Sequence, residues 1–167
     1  PTLDAQLGRV VDEPRDALIQ YVDPFIGTGG HGHTFPGATV PSGLVQLSPD
    51  SGKQGWDWCA GYHYSDTAIA GFSHTHLSGT GIHDYTDVLL MPATGDVRFG
   101  NGADGRPGYA SSFSHADETA RAGYYAVTLD GATPAEPEVR VELTATDHVA
   151  LHRWAWAAGA DAVALFD

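Results

Sequence analysis

The clearest polar and apolar alternation lies in the second half of the chain. Val139, Val141 and Leu143 alternate with Arg140, Glu142 and Thr144, the period of two that a half-buried strand requires. Residues 148–156 and 161–166 predict two further strands, joined by 157–160. Residues 124–129 follow Gly123 and end at Asp130-Gly131, a turn pair that predicts a strand and a reversal. Residues 87–91 form a short apolar run bounded by Pro92 and Gly95. In AIAGFSHTHLS the same period places Phe72, His74 and His76 on one side of a strand, with Ser73, Thr75 and Leu77 on the other.

The first half is punctuated instead. Gly27, Gly29, Gly30, Gly32, Gly37 and Gly43 and Pro24, Pro36, Pro41 and Pro49 break it up, so no long helix holds there. Loops and short strands remain, with 44–48 the best strand candidate. Residues 1–20 read as a polar lead-in or linker, with a short helix expected around 14–19. Short strands, turn signals and no long amphipathic helix predict one all-β domain over 21–167, a sandwich or barrel. The last apolar run, AVALFD, reaches the chain end without a turn or cap. It reads as a terminal strand or as a sheet incomplete at its C-terminal end, with an exposed edge.

Composition narrows the partners. The chain has 167 residues, 42% of them hydrophobic, enough for one core. The formal net charge of −13 opposes nucleic acid and anionic membrane surfaces and suits neutral or cationic partners. No apolar run has membrane-spanning length. The N-terminus lacks the basic start and apolar core of a signal peptide and reads as a precursor remnant or a linker. Cys59 is the single cysteine, so no internal disulfide forms. It reads as a small buried thiol rather than a nucleophile.

Candidate chemistry concentrates in the glycine-rich half, which carries His31, His33, His63, His74, His76 and His83. His31-Gly32-His33 and His74-Thr75-His76 are His-x-His pairs. In extended chain each pair presents two imidazoles to one face, for a metal or, preferably, for a polar pocket of neutral histidines, since no third ligand stands at a fixed spacing. GWDWCAGYHYSD interleaves Trp56, Trp58, Tyr62 and Tyr64 with Asp57, His63 and Asp66. A sugar offers apolar C–H faces and hydroxyl edges, and its site needs aromatic platforms beside carboxylates and imidazoles. If extended, Trp56 and Trp58 face the same way; Trp58 reads equally well as core packing. Asp50, Asp57, Asp66, Asp84 and Asp87 are the carboxylates near this region, and their spacing identifies no acid and base. SGTG reads as a tight loop, without the elbow of a serine hydrolase. GTGGHG lacks the ending and context of a phosphate loop.

Taken together, YVDPFIGTGGHGHTFPGATVPSGLVQLSPD, GWDWCAGYHYSD, GFSHTHLSGTG and DVLLMP resemble, in order and spacing, the amino-terminal domain of glycoside hydrolase family 92. AGYYAVTL and ELTATDHVALHR resemble its next strands, while 94–120 is weaker. The resemblance implies a large twisted β-sandwich, of the supersandwich type. It implies part of an exo-acting α-mannosidase on N-glycans or mannan, many members cutting α-1,2 linkages, by inverting hydrolysis with a calcium ion on the sugar's O2 and O3. It further implies a following (α/α)6 helical domain that supplies the acid, the base and most calcium ligands, and a secreted or periplasmic location. No catalytic residue is therefore expected in this chain. Trp56 and Asp57 are expected to contact the sugar, with His31, His33, His74 and His76 as further candidates and Asp50 orienting the loop. Ser42, Lys53-Gln54 and the stretch Ile82-His83-Asp84-Tyr85-Thr86-Asp87 depart from the family pattern, and the first two, which lie near the expected sugar site, bear on specificity. A stand-alone carbohydrate-binding module and a purely structural domain are the competing readings.

Overall fold

The computed structural model describes residues 18–102, 107–131 and 135–167. In chain order the strands are β1 (Ala38–Thr39), β2 (Gln46–Asp50), β3 (Ala68–Ile69), β4 (Gly71–Ser73), β5 (Leu90–Thr94), β6 (Ser111–Arg121), β7 (Tyr124–Leu129), β8 (Val139–Ala145), β9 (Ala150–Trp156) and β10 (Ala162–Phe166). They form two five-stranded antiparallel sheets, ordered β1-β2-β4-β5-β10 and β3-β6-β7-β8-β9. β1, β2 and β5 lie against β7 and β8, so the sheets face each other as a sandwich.

The alternation read from the sequence explains the core. Val139, Val141 and Leu143 of β8 are buried, as are Tyr125, Val127 and Leu129 of β7. They meet Leu47, Phe72 and Met91 of the opposite sheet. Burying each such side chain contributes roughly 1.5–3 kcal/mol. A polar tie adds to this: the Trp156 indole N–H of β9 donates to the Ala93 carbonyl of β5 at 3.0 Å.

Several expected elements shift or fail. The strand expected over 44–48 begins later, at Gln46, and leaves Leu44 exposed. The run expected over 87–91 becomes a strand only from Leu90, because Val88 stands at φ 59° in the left-handed region. β4 ends at Ser73, so His74 and His76 do not share a strand face. The helix expected around 14–19 lies outside the described residues except for Leu18 and Ile19, which are helical.

The largest addition is β6, eleven residues of polar sequence. Phe113 pairs with Leu129 and Glu118 with Val127, so five positions on β6 match two on β7. The bulge reverses strand parity. Ser111 and Phe113 point inward before it, and Glu118 points inward after it. The bulge is what delivers a carboxylate to the core.

Candidate functional site

Residues Trp56–Trp58 form a 3-10 turn rather than a strand. At about 120° per residue the two tryptophans diverge, which corrects the expectation that they face the same way. Trp58 turns into the scaffold, where its indole N–H reaches both carboxylate oxygens of Asp66 at 3.1 Å. Asp66 is buried and also accepts from the Lys53 ammonium at 2.7 Å and from the His63 amide at 3.0 Å. Lys53 in turn lies 5.4 Å over the Trp58 ring. Lys53 is thus an anchor of this turn. Trp56 is left 62% exposed.

Two of the expected residues gather on the same turn. His31 Nδ1 lies 2.8 Å from Asp57 Oδ1. The Asp57 hydrogen bond, then its charge, raises the His31 pKa above its ordinary value, so Nδ1–H is held as the donor. His33 packs edge-on to Trp56, with ring centroids 4.9 Å apart and planes at 72°. Its Nδ1 bonds the Thr80 carbonyl, while the buried Nε2 finds no partner among the described residues. An exposed indole face beside an imidazole and a carboxylate–imidazole pair offers an apolar platform with hydrogen-bonding groups at its rim.

The second pair separates. His76 is enclosed, with Nε2 at 2.9 Å from Asp50 Oδ1 and 3.1 Å from Ser73 Oγ, and Nδ1 at 2.8 Å from the Gln46 carbonyl. It therefore presents no surface among the described residues. Burial pushes its pKa down, but the Asp50 charge and hydrogen bond, with the Gln46 carbonyl, outweigh this and raise it. Asp50 also accepts from the Ser73 amide at 3.0 Å. Gly61, at φ 81°, lets the chain pass: a Cβ there would sit 2.1 Å from Asp50 Oδ1.

His74 turns the other way. Its Nδ1 donates to the Val88 carbonyl at 2.6 Å, and its Nε2 meets His152 Nε2 at 3.2 Å. Sequence reasoning missed His152, which lies on the inward side of β9. Burial, and then His74, push the His152 pKa down from 6.5 to about 4. The folded state thus holds this proton less well than the unfolded chain. The stability is present above the ordinary value and is lost as pH falls through 6.5 towards 4. After allowance for solvent screening of a half-buried ring, the effect is about 2 kcal/mol. Urea midpoints at pH 7 and pH 4 should show the wild type losing about that much more stability than His152→Leu. Equal losses in the two proteins would sink the assignment.

Among the described residues no three His, Cys, Asp or Glu side chains gather as a metal site. The His-x-His pairs do not converge, and among the described residues no three carboxylates gather as oxygen donors for calcium. The carboxylates have other employment: Asp50 and Asp66 as above, Asp84 accepting from the Tyr85 amide, and Asp87 accepting from the Thr75 hydroxyl. Cys59 is buried, with Sγ 2.9 Å from the Trp56 carbonyl. His83 Nδ1 donates to the Trp58 carbonyl at 3.0 Å, a tie that no sequence signal marked.

This sandwich, with its exposed aromatic turn, matches a known domain. A family model described as the glycosyl hydrolase family 92 N-terminal domain matches residues 21–167, and the chain belongs to that family. Among solved structures it is similar to a family 92 α-mannosidase from Bacteroides thetaiotaomicron in complex with mannoimidazole. That match has 40% identity and a TM-score of 0.73, and covers 82% of this chain and 18% of the other. It is also similar to a family 92 inverting mannosidase from the same organism, at 29% identity and a TM-score of 0.72, covering 89% of this chain and 19% of the other. A protein of Arthroderma benhamiae named an uncharacterized secreted glycosidase is 30% identical over 166 residues, 92% of this chain and 19% of that protein. The chain thus spans about a fifth of the length of these relatives. No described helix is long and apolar enough to cross a membrane.

Proposed function

We propose that this chain is part of a secreted exo-α-mannosidase acting on α-linked mannose, with α-1,2 linkages in N-glycans or mannan as the expected substrate, by inverting hydrolysis. In this reading the chain supplies a sugar-facing wall. A following helical domain supplies the acid, the base and most of the calcium ligands. The observation that carries the reading is the Trp56 face, exposed beside His33 and the His31–Asp57 pair. Trp56 would stack on the C–H face of a mannose ring, and Asp57, with His31 holding it, would accept from a hydroxyl. The relatives named as mannosidases and as a secreted glycosidase support the substrate class and the location.

Titrating the 167-residue chain with mannose and α-1,2-mannobiose tests this. Saturable binding without released mannose is expected, with affinity falling about tenfold in Trp56→Ala, the loss of one aromatic platform. Equal affinity in a folded Trp56→Ala protein would leave the tryptophan structural and the wall elsewhere.

A further inference from the structure

The loop spanning residues 78–89 meets the aromatic turn at two points and the imidazole packed against it at a third. Gly81 lies against the Trp56 ring so closely that a Cβ at 81 would sit 2.4 Å from Cζ3 and 2.7 Å from Cη2. The Thr80 carbonyl accepts from His33, which packs edge-on to the same ring. Two residues on, His83 Nδ1 donates to the carbonyl of Trp58, on the far side of the turn. The loop therefore crowds one side of the ring, steadies the imidazole beside it and grips the backbone that carries it.

The rest of the loop is held against its own preference. Tyr85, Thr86 and Val88 have φ of 68°, 61° and 59°. Left-handed backbone is costly for side chains branched at Cβ and persists only where the surroundings impose it. The Val88 carbonyl is tied to His74, and the Thr86 amide to the Thr75 carbonyl at 2.8 Å. The loop is thus fixed at both arms, and between its ties it exposes Ile82 and Tyr85.

We infer that this loop sets the orientation of Trp56, with Gly81 and His83 as positioning residues. Gly81 fixes how near the backbone lies to the ring, and His83 pins the loop to the turn. Neither residue need touch a ligand. The inference deepens the reading of Trp56 as a sugar platform and rests on it for its bearing on specificity, since the angle of the indole plane decides which ring orientation can stack.

The test separates positioning from sugar binding. In the 167-residue chain the Trp56 indole N–H resonance is assigned by its loss in Trp56→Phe. Gly81→Ala is expected to move that resonance, leave those of Trp154 and Trp156 in place, and lower mannobiose affinity at least fivefold. His83→Ala is expected to move the same resonance. His83→Gln, which keeps an N–H for the Trp58 carbonyl, is expected to restore it. If Gly81→Ala does not fold, the two His83 variants decide. An unmoved Trp56 resonance in the folded variants overturns the inference, as does a His83→Gln protein indistinguishable from His83→Ala. If the wild-type chain binds no mannoside yet the resonance shifts as expected, positioning stands and the sugar reading falls.

Discussion

Replacing Asp50 with alanine is expected to cost about 3–5 kcal/mol, the usual penalty for breaking a buried ion pair from one side. A domain of this size has roughly 5–15 kcal/mol to lose. The carboxylate is buried and serves two donors, His76 Nε2 and the Ser73 amide. Alanine strands the Ser73 amide and leaves His76 Nε2 only the Ser73 hydroxyl, so His76 must give up its proton or remain a buried cation without a counter-charge. The raised His76 pKa fixes the sign of the pH response: the stabilisation is present below the ordinary histidine value and is lost as pH rises through the folded value. Asp50→Asn keeps an acceptor for the Ser73 amide and should lose less. Urea unfolding followed by circular dichroism at pH 6 measures both. A loss below about 1 kcal/mol in Asp50→Ala would mean that water replaces the carboxylate at little cost.

Removal of Glu118 is expected to be comparably severe. Its carboxylate is buried by the β6 bulge and accepts from Tyr125 at 2.6 Å, Tyr62 at 3.1 Å and His115 Nδ1 at 2.6 Å. Burial first, and then Glu118, hold both tyrosine pKa values well above the ordinary range, so the hydroxyls stay protonated donors. In Glu118→Leu, two buried hydroxyls and one imidazole lose their acceptor, at about 1–3 kcal/mol each with partial relief from solvent at His115, or about 3–5 kcal/mol in sum. The cause can be isolated. Adding Tyr125→Phe to Glu118→Leu removes an orphaned donor and should recover about 1 kcal/mol or more. A double variant less stable than Glu118→Leu would assign the loss to packing instead.

The sequence made the second sheet legible because β7, β8 and β9 repeat with period two and end at recognisable turns. It hid β6 because SSFSHADETAR is polar and its parity reverses at the bulge, so an inward Glu118 reads as a surface charge. In the site, Trp56 and Asp57 stood out by composition. The ties that anchor the site did not, because His33 reaches Thr80 and His83 reaches Trp58 across long stretches of chain. Extended-chain parity misjudged GWDWCAG, where Gly55 at φ 134° starts a 3-10 turn and sends the two indoles apart. It likewise paired His74 with His76, although the strand ends one residue before His74. Local pattern thus identifies which residues are unusual, while tertiary contacts settle which of them meet.

The two strands nearest the C-terminus, β9 and β10, lie on the borders of opposite sheets, and neither has a further strand on its outer side among the described residues. β10 reads AVALF, without a charge or a proline to discourage another chain from pairing with it. Copies of this 167-residue chain would repel one another in dilute buffer through a net charge of −13. That repulsion shortens with added electrolyte, reaching only about 3 Å at 1 M salt. Association of this 167-residue chain through the β10 edge should therefore rise with ionic strength.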